Sequence, residues 1–266
     1  MNNMAERKIL LITGAARRIG AAIATLFHSR GYEVIVHFNQ SEQQALKLVN
    51  GLNAERPDSA MCLQADLCAV SQVHDLADAA LAWRGRIDVL INNASRFYPG
   101  PIGSVDEAAW DDLIGSNLKG GFFLAQALAP SLRERRGSII NMTDIHADGG
   151  RKDYPAYSIA KAGVKMMTKA LARELAPHVR VNGISPGAIL WPEDDQSDKE
   201  QNDEQNAILR DIALQRMGSC EEIAATAWYL AEEAPYSTGQ TIRVDGGRTQ
   251  GDSYITHTHE KGALDA

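Results

Sequence analysis

The chain has 266 residues, 44% hydrophobic and 23% charged, with a formal net charge of −7. That size accommodates one large α/β domain with a substantial core, and the acidic balance argues against a nucleic-acid partner. No apolar run approaches the length of a membrane span, and the three cysteines, Cys62, Cys68 and Cys220, have neither zinc spacing nor the even number of a complete disulfide framework.

A polar start, Met1 to Lys8, does not read as a signal peptide, so a reducing cytoplasm is the expected compartment. Lys8 to Thr13 reads as a first strand, and Ile19 to Arg30 as a helix ended by Gly31. Glu33 to His37 is a second strand, Glu42 to Ala54 a helix, and Ala60 to Gln64 a third strand. Val70 to Trp83 is helical, and Ile87 to Asn92 is strand four. A long helical stretch follows from about Val105 to Arg135, weakened in its middle by Gly115, Gly120 and Gly121. Ser138 to Thr143 is strand five, and a helix carrying Tyr157 runs to about Leu175. Arg180 to Ile184, a helix from Glu221 to Glu232, and Gln240 to Val244 complete the pattern. Continuous apolar strands separated by helices predict a parallel sheet covered on both faces. The expected architecture is a single doubly wound Rossmann domain over residues 1–266, with ligands at the carboxyl ends of its strands.

Two segments break the rhythm. Residues 191–206 carry seven acids, and read either as a solvated loop or as a lid over the substrate. Residues 249–266 are polar and read as a mobile tail. The tail's His257-Thr258-His259 lacks the ligand cluster that a metal requires, and no metal is expected.

Thr13-Gly14-Ala15-Ala16-Arg17-Arg18-Ile19-Gly20 lies between the first strand and the first helix. Gly14 can make the tight turn, and Gly20 lets the helix pack close to the sheet. The helix N-terminus then offers N–H groups and a positive dipole to a pyrophosphate. Arg17 and Arg18 add guanidinium groups where phosphates would lie. Binders of NAD usually place an acid at the end of strand two, on the ribose 2′-hydroxyl. Here that region reads His37-Phe38-Asn39-Gln40-Ser41, with no acid, and Asn39 and Ser41 could donate to a 2′-phosphate. NADPH/NADP is therefore the expected cofactor. Asp66-Leu67 after strand three either flanks the adenine or caps the following turn. Asn92-Asn93-Ala94 can hold backbone at the sheet edge or simply form a turn. Pro186-Gly187 reads as a fixed turn after strand six, beside the nicotinamide.

Tyr157 and Lys161 are four residues apart, and so share one helix face. A nearby ammonium favours the phenolate, so Lys161 is expected to lower the phenol's pKa and make Tyr157 a proton donor. Asp144, thirteen residues before the tyrosine, supplies a third corner.

Taken together, Thr-Gly-x3-Arg-x-Gly, Asn-Asn-Ala, Tyr-x3-Lys, Pro-Gly and the late Asp245-Gly246-Gly247 resemble the short-chain dehydrogenase/reductase superfamily over residues 8–248. Within it the chain looks like a pteridine reductase. Arg18 replaces the middle glycine of the usual cofactor loop, and Asn93-Ala94-Ser95-Arg96-Phe97-Tyr98-Pro99 resembles that family's segment after strand four. Asn141-Met142-Thr143-Asp144 puts an acid where most of the superfamily has a catalytic serine, and residues 56–67 resemble the approach to strand three. The resemblance implies that Ser95 contacts cofactor and pterin, and that Phe97 stacks on the pterin ring. It further implies that Asn117 serves a proton relay with Tyr157 and Lys161, and that Asp144, with Arg18 nearby, faces the substrate. It implies a homotetramer that reduces a dihydropterin or dihydrofolate. His146, Tyr154, Trp191 and Arg96 are expected to shape the pocket. The alternatives are a 3-oxoacyl or sugar-alcohol reductase on the same scaffold, or a non-catalytic nucleotide sensor.

Overall fold

A computed structural model of the chain describes residues 7–189 and 206–250. The expected lid, 191–206, lies outside them except for Asn206, and so does the tail beyond Gln250. Seven parallel strands form one sheet in the order β3-β2-β1-β4-β5-β6-β7. They are β1 (Ile9–Ile12), β2 (Glu33–Phe38), β3 (Ala60–Gln64), β4 (Val89–Asn92), β5 (Ser138–Met142), β6 (Arg180–Pro186) and β7 (Thr241–Val244). The order reverses between β1 and β4, which opens the crevice where such sheets bind ligands.

Both faces are buried because consecutive side chains on a strand point to opposite sides. Leu10 and Ile12 of β1 join a core with α1 (Arg18–Ser29) and α2 (Glu42–Glu55). Ile9 and Leu11 join the opposite core with α3 (Val70–Arg84). This explains why β1 reads as an unbroken apolar run rather than an alternating one.

The long helical stretch is real but not uniform. It consists of α4 (Glu107–Ile114), a π-helical segment Gly115–Lys119, and α5 (Gly120–Arg135). Its glycines are contact points more than weak points: a Cβ on Gly120 would lie 2.6 Å from the Leu67 carbonyl oxygen. A short helix, α6 (His146–Gly149), follows β5 and was not expected. It leads through Gly150 to α7 (Pro155–Leu175). The helix expected over 221–232 divides into α8 (Cys220–Trp228) and a second π segment, Tyr229–Glu233. A capping box of Ser219 and Glu222 starts α8.

Two expectations need correction. Pro186 is the last residue of β6, paired with Val244, rather than part of a turn after the strand. Thr249 and Gln250, assigned to a mobile tail, form a 3-10 turn with Arg248, and the Asp245 carboxylate accepts from the Thr249 amide and hydroxyl.

Candidate active site

The glycine loop is held from three sides. Gly14 has φ +61°, and a Cβ there would meet Ala94 Cα at 2.8 Å. On Gly20 a Cβ would meet the Gly14 carbonyl oxygen at 2.6 Å and Asn93 Nδ2 at 2.8 Å. Asn93 Nδ2 donates to the carbonyls of Thr13 and Gly14 at 2.9 and 3.0 Å, while Thr13 Oγ1 accepts from the Asn93 and Ala94 amides. The asparagine pair thus holds the sheet edge: Asn92 Nδ2 also donates to Asn141 Oδ1 at 2.9 Å.

His37 is buried and fully engaged. Its Nδ1 accepts from the Gly14 amide at 3.1 Å, so Nε2 carries the proton and donates to the Ala65 carbonyl at 3.0 Å. Burial lowers its pKa to about 4, which keeps it neutral. His37 lines the crevice, but both nitrogens serve the protein, so it shapes the cofactor loop and has no free polar atom for a ligand. Asp66 acts as a cap of its turn, accepting from the Cys68 amide at 3.0 Å, and it also pairs with Arg96.

These residues border a cleft of about 630 Å³ at the carboxyl ends of β1, β2 and β4. Every expected contact from Gly14 through Ser41 on the first two strands lines it, together with Asp66, Leu67, Asn93, Ala94 and Ser95. Arg17 caps α1 without a side-chain bond, so the first amides of that helix face the cleft without a side-chain acceptor there. Arg18 sits at φ +52° and donates from Nη2 to the Ile189 carbonyl at 3.1 Å, spanning from the glycine loop to the end of β6. A glycine cradle with no room for a Cβ, a helix N-terminus and two exposed guanidinium groups fit a dinucleotide pyrophosphate. Ser116 and Ala16 also line the cleft and were missed: Ala16 occupies an unspecified position of the glycine motif, and Ser116 belongs to no motif. Pro186 and Gly187 do not line it.

Beyond Ser95 the acid–base groups begin. Tyr157 donates to Asp144 Oδ2 at 2.7 Å, and Asp144 Oδ1 accepts from the His146 amide at 2.8 Å. The end of β5 and the first turn of α7 bring these groups together. Lys161 is buried and donates to the Met142 carbonyl at 3.1 Å, 5.7 Å from the Tyr157 ring centroid. Ser95 donates to Asn117 Oδ1 at 2.6 Å. Asn117 Nδ2 donates to the Arg96 and Leu113 carbonyls, both at 3.0 Å, so the π segment anchors the loop after β4.

The electrostatics differ from the expectation. The Tyr157 phenol is pushed up, not down, first by burial and then by the Asp144 carboxylate that accepts its proton. Ser95 and the Arg151 charge work the other way but do not win. Lys161 is not among the leading causes of that shift; burial lowers the ammonium's pKa to about 8, against an opposing pull from Asp144. The i, i+4 spacing places both groups on one helix face, but the carboxylate lies closer to the phenol than the ammonium does.

Phe97 is 49% exposed and stacks on Tyr154 at 4.6 Å and 11°. It also meets the Tyr157 ring edge-to-face at 4.8 Å. One Phe97 face is therefore covered by a protein ring. His146 Nδ1 is buried without a hydrogen-bond partner, and burial lowers that imidazole's pKa. Arg96 pairs with Asp112 and Asp66. Trp191 lies outside the described residues. Arg151 and Ser158 were not singled out from the sequence; no spacing rule connects them to the site.

A parallel sheet with a glycine-lined cleft at its switch point, next to buried Tyr157 and Lys161 and half-buried Asp144, defines a nicotinamide-dependent oxidoreductase. Residues 14–249 match a family model described as enoyl-(acyl carrier protein) reductase. The chain belongs to the short-chain dehydrogenase/reductase family. It is 38% identical over 280 residues to pteridine reductase 1 of Leishmania tarentolae, covering 90% of this chain and 95% of that protein. It is also 37% identical over 243 residues to a 3-oxoacyl-[acyl-carrier-protein] reductase of Staphylococcus epidermidis, covering 90% and 98%. The corresponding Staphylococcus aureus enzyme is 36% identical over 247 residues, covering 92% and 99%. Among the described residues no helix is long and apolar enough to cross a membrane, and no group of three or more potential ligands could hold a metal ion.

Proposed function

We propose that this chain is an NADPH-dependent pteridine reductase, converting dihydropterins such as dihydrobiopterin or dihydromonapterin, and dihydrofolate, to their tetrahydro forms. The observation that carries this reading is the 2.7 Å bond from Tyr157 to Asp144. A reductase of simple carbonyls needs a neutral donor beside the substrate oxygen, and a carboxylate there would repel the developing alkoxide. A pterin instead presents ring nitrogens and N–H donors, which a carboxylate suits.

Bound in the cleft, a reduced nicotinamide supplies the hydride. The chain's own residues supply the proton. Donation by Tyr157 alone would leave a phenolate beside a carboxylate, which its raised pKa makes costly. The pair therefore acts as one unit: Asp144, once protonated from solvent, returns a proton to the phenol as the phenol gives its own to a ring nitrogen, and the carboxylate left behind is reprotonated for the next turnover. Lys161 fixes the cofactor's ribose, and Ser95 with Asn117 holds the loop that faces both ligands and connects the relay. Phe97 covers the flat face of the substrate ring; stacking of this kind contributes about 0.5–1.5 kcal/mol. The absence of an acid from 37–41, with Arg17 and Arg18 exposed on the cleft, supports NADPH over NADH. The same reading takes the enzyme to be a cytoplasmic homotetramer.

A 3-oxoacyl reductase is the competing reading, favoured by relatives of almost equal identity. An NADPH-oxidation assay with dihydrobiopterin, dihydromonapterin, dihydrofolate and a 3-oxoacyl thioester separates them. Turnover of dihydropterins with little of the thioester is expected; the reverse order overturns the proposal.

A further inference from the structure

Arg151 lies beside the aromatic pair that flanks Tyr157 and has no role in the chemistry described above. It follows Gly150, in the connection from α6 to α7. Its backbone is fixed to the catalytic helix: the Arg151 amide donates to Ser158 Oγ at 3.1 Å, and its carbonyl accepts from the Tyr154 amide at 3.1 Å. Ser158 is the residue after Tyr157. The guanidinium lies 4.7 Å from the Tyr154 ring centroid and 5.3 Å from that of Phe97. With the 4.6 Å separation of the two rings, this makes a nearly equilateral triangle. The cation thus lies within cation–π reach of both rings.

Among the described residues, no carboxylate is within ion-pair distance of this guanidinium. Its charge nevertheless reaches the reacting groups, opposing the rise of the Tyr157 pKa and lowering that of His146. Arg248 acts on His146 in the same sense, while Asp144 acts against both. Two cations, Arg151 and Arg248, and one carboxylate, Asp144, thus act on His146 from nearby. Contact with a ring does not use up a guanidinium's N–H donors, which remain for an acceptor. Those donors match a carboxylate or a phosphate bidentately.

We propose that Arg151 forms an anion subsite at the mouth of the slot and binds a carboxylate or phosphate on the tail of the pterin, so that pterins with an anionic tail are preferred to uncharged ones. This rests on the pterin reading and specifies it. The ring of such a substrate lies by Phe97 and Tyr157, and the tail leaves past the Phe97–Tyr154 stack, where the guanidinium waits. The charge is remote from the reacting bond, so it binds ground state and transition state alike. Its removal should raise KM and spare kcat.

The test measures kcat and KM for the full chain, its Arg151→Met variant and its Arg151→Lys variant. Three substrates are used: dihydrofolate for carboxylates, dihydroneopterin monophosphate for phosphate, and dihydrobiopterin for an uncharged tail. The expected result for Arg151→Met is a KM raised roughly 10–100-fold for one or both anionic substrates, the range of a lost charge-assisted hydrogen bond. Dihydrobiopterin should change less than about 3-fold, and Arg151→Lys should recover part of the loss by keeping the charge. The anionic substrate that loses more identifies the source of the anion. Added salt should raise KM for that substrate in the unmodified chain and not in Arg151→Met. Equal losses for charged and uncharged substrates would overturn the subsite and make Arg151 a support for the aromatic stack. Unchanged discrimination would overturn it too, while leaving the pteridine reductase reading intact. If the unmodified chain reduces no dihydropterin at all, both fail together.

Discussion

Two buried tyrosines in this protein each donate to a carboxylate, at opposite edges of the same sheet. At the amino-terminal edge, Tyr32 donates to Glu232, which also accepts from Lys8 at 2.6 Å. At the carboxyl edge, Tyr157 donates to Asp144. Both phenols are pushed well above their ordinary pKa, in each case by burial first and the carboxylate second. The local chemistry is nearly the same, but the surroundings are not. A cavity of about 200 Å³ borders Tyr32, but its polar groups engage one another: Arg86 pairs with Asp88, Asp88 accepts from the Ile9 amide, and Arg180 donates to the Leu230 and Ala231 carbonyls of the second π segment. Tyr157 instead neighbours Ser95 of the larger cleft, of about 630 Å³, and near it His146 Nδ1 has no partner and Phe97 is half exposed. A tyrosine–carboxylate pair is therefore not a catalytic signature by itself. It becomes one where the strand order reverses and the glycine loop leaves room for a dinucleotide.

The largest difference should appear on removing the two hydroxyls. Tyr157→Phe is expected to lower turnover by roughly 10²–10⁴-fold, the usual range for lost acid–base chemistry. Tyr32→Phe should keep turnover within about 3-fold and instead cost roughly 1–3 kcal/mol of stability, from the lost hydrogen bond to a charged acceptor. Steady-state rates and denaturant melts of both variants provide the check. If Tyr157→Phe turns over normally, the two pairs are alike and the catalytic assignment is wrong.

A second contrast lies in the cations. Lys161 is buried with its pKa lowered to about 8, so the ammonium is lost within the working range. If the charged form holds the cofactor, kcat/KM should fall about tenfold per pH unit above about 8, since that parameter reports the free enzyme. Lys8, paired with Glu232 at the opposite edge of the sheet, does not line the cleft, so Lys8→Met should leave that limb in place. A flat alkaline profile to pH 10 would remove Lys161 from the mechanism.

The smallest effect is one the two sites should share. A phenol whose folded pKa lies above 10 stays protonated while the unfolded chain ionises. Above pH 10 the folded state then binds more protons, so stability falls as pH rises. Each tyrosine contributes up to about 1.4 kcal/mol per pH unit to that slope. Tyr32→Phe and Tyr157→Phe should each remove a similar share, measured as unfolding free energy against pH.

The arrangement of the sheet was legible because β1, β2 and β4 are short apolar runs that alternate with helical stretches, a pattern that a parallel sheet buried on both faces favours. The cofactor loop was legible because its glycines and Asn93 are adjacent to strand ends. What the sequence could not show is long-range packing. Gly115 and Gly120 read as helix breakers, yet they are where a helix passes close to Cys68 and Leu67. The i, i+4 spacing correctly put Tyr157 and Lys161 on one face, but the sign of the phenol's shift depends on burial and on the Asp144 distance, which no local pattern encodes. Arg151 escaped notice because its partners, Phe97, Tyr154 and Ser158, come from two separate segments.

The most direct test of the central claim is a comparison of the unmodified chain with Asp144→Ser on dihydrobiopterin and on a 3-oxoacyl thioester, read as kcat/KM with NADPH. The account predicts that the variant loses at least about 100-fold on the pterin, within the range for lost acid–base chemistry, while its activity on the thioester is retained or rises. Undiminished pterin reduction by Asp144→Ser would contradict it.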